Sequence, residues 1–289
     1  MSAVSPGSAR PPADRPGSAR PPADRRLGQH HLVDAGTLSA ILALADVKPG
    51  DVVLEVGAAG GLLTRPVADR AGAVHAFEVD ARFAPALQAL AAERPSVHVH
   101  IGDALKADLG SLRPPPTTMV ANLAYNIAIP LLVRSLDELP GIGSWSVMVQ
   151  RELADRLFAK PRTKAYSSVS VLVQLCCELQ ARRLVPRTVF SPQPRVDSAF
   201  VVFRRRCDAP STEAYRAVKR LVRAAFQQRR KMMVNSLAGV APAGADPGDG
   251  LTSERVAAAL DSIGVSATAR AEELLPPQFV ELAAALGWL

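Results

Sequence analysis

The chain has 289 residues, of which 48% are apolar, enough to bury a full α/β core and a smaller domain beside it. It carries 34 basic and 27 acidic residues, a net charge of +7, and only 4% aromatic residues. No apolar run is long enough to span a bilayer, the N-terminus lacks a hydrophobic signal core, and three cysteines (Cys176, Cys177 and Cys207) are too few for a disulfide framework. Membrane-spanning and disulfide-rich secreted classes are thereby excluded, and a cytoplasmic protein with reduced, buried thiols is expected.

In chain order, the decapeptide Pro-Gly-Ser-Ala-Arg-Pro-Pro-Ala-Asp-Arg occurs at 6–15 and again at 16–25. It has no bulky apolar side chain, so residues 1–25 read as a disordered tail. The first strong element is Asp51-Val52-Val53-Leu54-Glu55-Val56-Gly57, a buried parallel strand running into a glycine cluster at 57, 60 and 61. Helical spacing follows from Leu62 to Arg70. This strand, glycine turn and helix make the first unit of a doubly wound sheet, where backbone approaches a ligand closely. A second strand near 74–79 carries Glu78, 21 residues after Gly57, near the spacing at which an acid meets ribose hydroxyls. A third, near 97–101, ends in Gly102-Asp103, whose carboxylate suits an adenine amine. The glycine spacing fails the G-x-G-x-x-G dinucleotide template, so a dehydrogenase is disfavoured. Glu55 also repels a pyrophosphate but suits a sulfonium and an ammonium, which points to S-adenosylmethionine.

The strand near 117–122 ends in Asn122-Leu123-Ala124-Tyr125. Here the Asn oxygen and the carbonyl of Leu123 can accept both hydrogens of an exocyclic amine, while Tyr125 stacks on the base. A fifth strand spans 144–150, and two later ones, near 167–178 and 199–205, complete the sheet as an antiparallel edge. Cys176 and Cys177 would then face opposite sides of a strand. His98 and His100 share a strand face but lack a nearby third ligand, so no metal site is expected. Tyr166 and Tyr215 read as packing residues, Asp197 as a loop-structuring acid, and Phe190 as either core or pocket border.

From about 207 the pattern is helical, broken by a Gly/Pro/Asp-rich stretch at 239–250. Ten basic residues fall between Arg204 and Leu237 against two acidic ones, a local charge of +8. Arg216, Lys219, Arg220 and Arg223 lie mostly opposite an apolar stripe that includes Val218, Leu221 and Val222. A basic helix face beside such a core fits contact with the backbone of structured RNA. The low aromatic content favours recognition by shape over base stacking.

Together these motifs resemble the small-subunit ribosomal RNA adenine N6,N6-dimethyltransferase family, relatives of the macrolide-resistance methyltransferases. The resemblance rests on Leu27-Gly28-Gln29-His30-His31-Leu32, Glu55-Val56-Gly57, Glu78-Val79-Asp80, Gly102-Asp103-Ala104 and Asn122–Ile127. It continues through Met148–Glu152, Lys164-Ala165-Tyr166, Phe190–Ala199, Ala225–Lys231 and Glu273-Leu274-Leu275, covering roughly residues 26–289. It implies a Rossmann-like, S-adenosylmethionine-dependent methyltransferase domain over 26–206 and a helical RNA-binding domain over 207–289. His30, Leu32, Gly57, Glu78, Asp103 and Asn122 would bind the cofactor, and Asn122, Leu123 and Tyr125 would be catalytic.

The expected reaction is dimethylation of adenine N6 in ribosomal RNA of a small-subunit particle, by a monomer that does not engage membranes. The chain departs from the family where Ala58 and Ala59 replace Pro-Gly, where His30 replaces Asn, and where Ala124 replaces Pro. These departures keep a non-catalytic assembly factor in play, alongside a resistance-type enzyme acting on a large-subunit adenine. The Asn-Leu-x-Tyr form and the long basic C-terminal region favour the small-subunit reading.

Overall fold

Five short runs rich in valine and alanine become parallel strands because helices cover both of their faces, leaving no polar side to alternate with. The computed structural model describes residues 21–24, 27–229, 231–242, 244 and 250–289. Most of the repeat tail, part of the 239–250 break and Arg230 lie outside them.

The chain begins with a two-residue strand β1 (His31–Leu32) and helix α1 (Ala35–Ala45), which Asp34 caps. There follow β2 (Val52–Val56), α2 (Thr64–Ala68), β3 (Ala73–Glu78), α3 (Ala84–Glu93), β4 (Val97–Ile101) and β5 (Thr118–Asn122). Next come α4 (Tyr125–Glu138), β6 (Ser144–Gln150), α5 (Arg151–Leu157), α6 (Ser168–Cys176), β7 (Cys177–Val185), β8 (Phe190–Ser191) and β9 (Ser198–Arg205). The remainder is helical: α7 (Thr212–Gln227), α8 (Met233–Leu237), α9 (Ser253–Ser262) and α10 (Pro276–Ala285).

The seven-stranded sheet has the order β4-β3-β2-β5-β6-β9-β7. Its first five strands are parallel, and β9 and β7 close it antiparallel. The chain reverses its direction of travel between β2 and β5, and ligands of open α/β sheets bind at the carboxyl ends beside such a switch.

One strand expectation is corrected. Residues 168–176 form α6, and the strand lies later, at 177–185. The run Val-Ser-Val-Leu-Val is buried all round as a helix, so it shows no period, and a reciprocal Ser167–Ser170 capping box starts it. Cys176 therefore ends a helix and Cys177 begins a strand. Both are buried and burial raises their thiols, Cys176 to about 11, whereas Cys207 is exposed.

One apolar core runs from Leu54, Met119 and Val201 of the sheet through Leu132 of α4 to Leu221 of α7 and Phe279 of α10. The helices after residue 206 thus share the core of the sheet. Tyr166 strengthens the join: it is buried, and its hydroxyl donates to the Leu274 carbonyl at 2.8 Å. Tyr215 is likewise buried.

The basic stretch is more committed than its sequence implies. Arg216 Nε donates to Asp137 Oδ1 at 2.6 Å, and Lys219 pairs with the other oxygen of the same carboxylate. Burial alone would raise Asp137, but the two cations hold it below the usual carboxylate range. Arg205 lies over the Trp145 ring at 5.1 Å, Arg206 pairs with Asp208, and Arg229 pairs with Glu272. Of the described basic residues in this stretch, Arg204, Arg220, Arg223 and Lys231 are exposed and form no ion pair, Arg220 reaching the Ala241 carbonyl instead.

Candidate active site

Gly57 ends β2 with φ +84°, and a Cβ there would stand 3.3 Å from the Asn122 backbone oxygen. Glycine lets the β2 loop lie directly against the end of β5. Two residues on, Ala59 also takes a left-handed backbone, φ +46°, which turns its N–H onto Glu78 Oε2 at 2.7 Å. A side chain in that conformation costs about 1 kcal/mol or more. Ala59→Gly, the residue the family resemblance expects here, should stabilise the protein by about 1 kcal/mol in chemical denaturation, with cofactor affinity retained.

Glu78 is buried at the end of β3, and its Oε1 accepts the Asp80 N–H at 2.8 Å. Desolvation raises its pKa, against the opposing pull of the Asp80 and Ala59 amides. Asp103, beyond β4, is partly exposed and accepts the Leu105 N–H at 2.9 Å.

Asn122 closes β5. Its Nδ2 donates to the His30 carbonyl at 3.3 Å, which leaves Oδ1 as the acceptor for a ligand. Tyr125 opens α4 and is 57% exposed, which leaves it surface to stack on a base. Between them Ala124 caps α4 at φ −63° and ψ 144°, within the range a proline ring imposes. Its N–H has no hydrogen-bond partner among the described residues. The local fold thus holds the geometry that proline would enforce. Ala124→Pro should raise stability by roughly 0.4–1 kcal/mol without loss of turnover, checked by thermal melting and initial rates.

These groups open onto one cavity of about 470 Å³, which is lined by His30, Gly57, Glu78, Asp103, Asn122, Leu123 and Tyr125. That volume lies within the range of small-molecule sites. Phe190 is both buried and on the wall, so its two readings hold together. Leu32 stands apart from the other candidates: it is buried in β1, opposite Phe190, and lines an adjoining cavity of about 50 Å³.

Glu55 lines that smaller cavity, and Gly57 and Asn122 border both. Glu55 is 1% exposed, and its Oε2 has no hydrogen-bond partner among the described residues. Desolvation pushes its carboxyl up to about 8, and Glu78 adds to the rise, while the Thr64 hydroxyl opposes it. A buried carboxylate oxygen without a partner is costly unless a donor or cation arrives.

Asp197 structures its loop as expected, accepting the Arg187 N–H at 3.0 Å. His98 and His100 do gain a third histidine from the next strand. His75 donates through Nε2 to the Pro114 carbonyl at 2.8 Å, so its Nδ1 accepts from His100 Nε2 at 3.1 Å. Both of its nitrogens are thereby used, and no metal-binding group of three His, Cys, Asp or Glu occurs among the described residues. Gln29 and Asp80 sit in quoted motifs but drew no role from sequence. Their contact joins residues 51 positions apart, which no local spacing signals.

A family model described as ribosomal RNA adenine dimethylase matches residues 22–263. Ribosomal RNA small subunit methyltransferase A of Rubrobacter xylanophilus is 45% identical over 258 residues, covering 89% of this chain and 93% of that protein. The protein of the same name from Streptomyces coelicolor is 39% identical, covering 98% and 99%. Among solved structures, a dimethyladenosine transferase from Plasmodium falciparum shares the fold with a TM-score of 0.72 at 24% identity, covering 88% of this chain and 96% of that one. The 23S ribosomal RNA methyltransferase ErmE superposes with a TM-score of 0.62 at 30% identity, covering 89% and 99%. With the matched model spanning most of the sheet and the C-terminal helices, the chain belongs to the ribosomal RNA adenine dimethylase family.

Proposed function

We propose that this protein is an S-adenosylmethionine-dependent methyltransferase that dimethylates N6 of adenines in small-subunit ribosomal RNA, acting as a cytoplasmic monomer on a small-subunit particle. The observation that carries the reading is the single cavity bordered by the Gly57 loop, Glu78 and Asp103 on one side and by Asn122–Tyr125 on the other. The unpartnered, buried Glu55 oxygen fits a cationic cofactor, since it supplies the negative charge that an ammonium requires. Gly57, Glu78 and Asp103 would hold the cofactor, with His30 and Asn122 beside them and Leu32 behind. When bound, S-adenosylmethionine supplies an electrophilic methyl group.

The protein's part is to bind and orient the adenine. Asn122 Oδ1 and the Leu123 carbonyl accept the two N6 hydrogens, drawing the nitrogen toward a tetrahedral form and stabilising its developing positive charge. Tyr125 stacks on the extruded base and fixes its plane. No general base is needed at these positions. Residues 207–289 form one wall of the RNA cleft, where exposed Arg223 and Lys231 are available to phosphates.

The 30% identity to a 23S methyltransferase favours a large-subunit adenine as the second reading. Labelled-methyl transfer to undermethylated small and large subunits, followed by nucleoside analysis, separates the two. Label is expected as N6,N6-dimethyladenosine in the small-subunit RNA. Label confined to the large subunit overturns the proposal, and cofactor binding without transfer to either would identify an assembly factor.

A further inference from the structure

A strap of chain, residues 27–33, crosses the cavity and is held at three places. At one end Gln29 Nε2 donates to Asp80 Oδ2 at 3.0 Å, while its Oε1 accepts the Asp24 N–H at 2.8 Å. In the middle, the His30 carbonyl accepts Asn122 Nδ2. At the far end His31 and Leu32 pair with Ser191 and Phe190, and the His30 ring bonds the Pro192 carbonyl at 2.7 Å.

Asp80 is a firm anchor. Arg82 grips its carboxylate through four nitrogen–oxygen contacts of 2.6–3.1 Å, three from the guanidinium and one from the backbone N–H, and the Asp80 N–H donates to Glu78 Oε1. Glu78, the acid on the cofactor side, is therefore one backbone amide away from the residue that latches the strap. At the other end of the relay, the bond to His30 is the one hydrogen bond of the Asn122 side chain among the described residues. A primary amide has two faces of similar shape, and this carbonyl alone decides which one meets the cavity.

We propose that Gln29 is a positioning residue for methyl transfer: by pinning the strap to Asp80 it holds the His30 carbonyl where it turns the Asn122 amide, with Oδ1 toward the adenine. This rests on the clamp role given to Asn122 above. The strap then links the two halves of the cavity physically, as well as covering it.

The chain contains three asparagines, Asn122, Asn126 and Asn235. Selective ¹⁵N-asparagine labelling therefore yields three side-chain amide pairs, assigned by removing Asn126 and Asn235 in turn. Gln29→Met keeps the length and removes both hydrogen bonds. It should move the Asn122 pair to the position of a solvated amide and lower turnover roughly tenfold or more. Cofactor Kd should weaken much less than turnover falls, because Gly57, Glu78 and Asp103 keep their places while the strap residues His30 and Leu32 loosen. Asp80→Ala, cutting the latch from its other end, should displace the same amide pair, and it serves if Gln29→Met folds poorly.

An unmoved Asn122 pair in a folded variant overturns the proposal. So does full turnover combined with a weakened cofactor Kd, which would make Gln29 a cofactor contact only. The amide readout needs no RNA, so wild-type protein that transfers no methyl would overturn the functional reading and leave the strap result standing by itself.

Discussion

Asn122→Ala should cut methyl transfer by about a thousandfold while leaving cofactor binding measurable, because one of two preorganised acceptors for the reacting amine is gone. Adenine N6 is a poor nucleophile, its lone pair being delocalised into the ring. The nitrogen becomes reactive only as its hydrogens are drawn out of the ring plane, and one acceptor cannot hold both. The amide is already aimed by the His30 carbonyl, so wild type spends nothing on orienting it during reaction. Gly57, Glu78 and Asp103 remain in place in the variant, so calorimetry should still read cofactor binding, weakened far less than turnover. Single-turnover rates on undermethylated RNA measure the loss. Undiminished turnover would refute the clamp.

The second large effect concerns proton linkage at Glu55. Its carboxyl is raised to about 8 by burial, so below that pH the cofactor-free protein holds it protonated. A cofactor ammonium favours the ionised form, so binding should release a proton. Affinity should then rise by up to about tenfold per pH unit between pH 5 and 8, and fall again as the α-amino group loses its own proton. The stability sign follows from the same shift. A raised folded-state pKa contributes stability that is complete below the unfolded value near 4.5 and is lost as pH climbs through 8. The loss is about 1.4 kcal/mol per pH unit across that window. Glu55→Gln should therefore match wild type near pH 5, exceed it in cofactor-free stability at pH 8, and flatten the pH dependence of cofactor Kd. Calorimetry in buffers of different ionisation heat reads the proton directly; equal apparent enthalpies in all buffers at pH 7 would remove Glu55 from this role.

The parallel half of the sheet was legible because its strands are short valine-rich runs that stop at glycine or polar residues. The expected strands near 97–101 and 144–150 match β4 and β6 residue for residue. The carboxyl-end residues were legible for the same reason: Gly57, Glu78, Asp103 and Asn122 each follow such a run. Helix α6 was not, since a helix buried on every side shows the same unbroken apolar run as a strand. The basic stretch misled in the opposite direction. Asp137, which takes up Arg216 and Lys219, lies 79 and 82 residues away in sequence, so composition counted as free what the fold had neutralised. The strap contacts were hidden likewise, because His30 and Asn122 are 92 residues apart. The departures at Ala59 and Ala124 looked like losses in sequence, yet both backbones keep the angles that glycine and proline would have favoured.

The apolar core that passes without interruption from Met119 to Phe279 also governs how a substrate is admitted. A wall cut from the same packed interior as its floor cannot swing on a hinge, since interiors resist deformation. On the proposed reading, such a wall resists hinging, so the work of fitting falls mainly on the nucleic acid. An adenine already loose in its helix pays little to enter, whereas one in a regular duplex must first be unstacked. Accessibility within the RNA, more than any closing motion of the protein, then selects the bases that are reached.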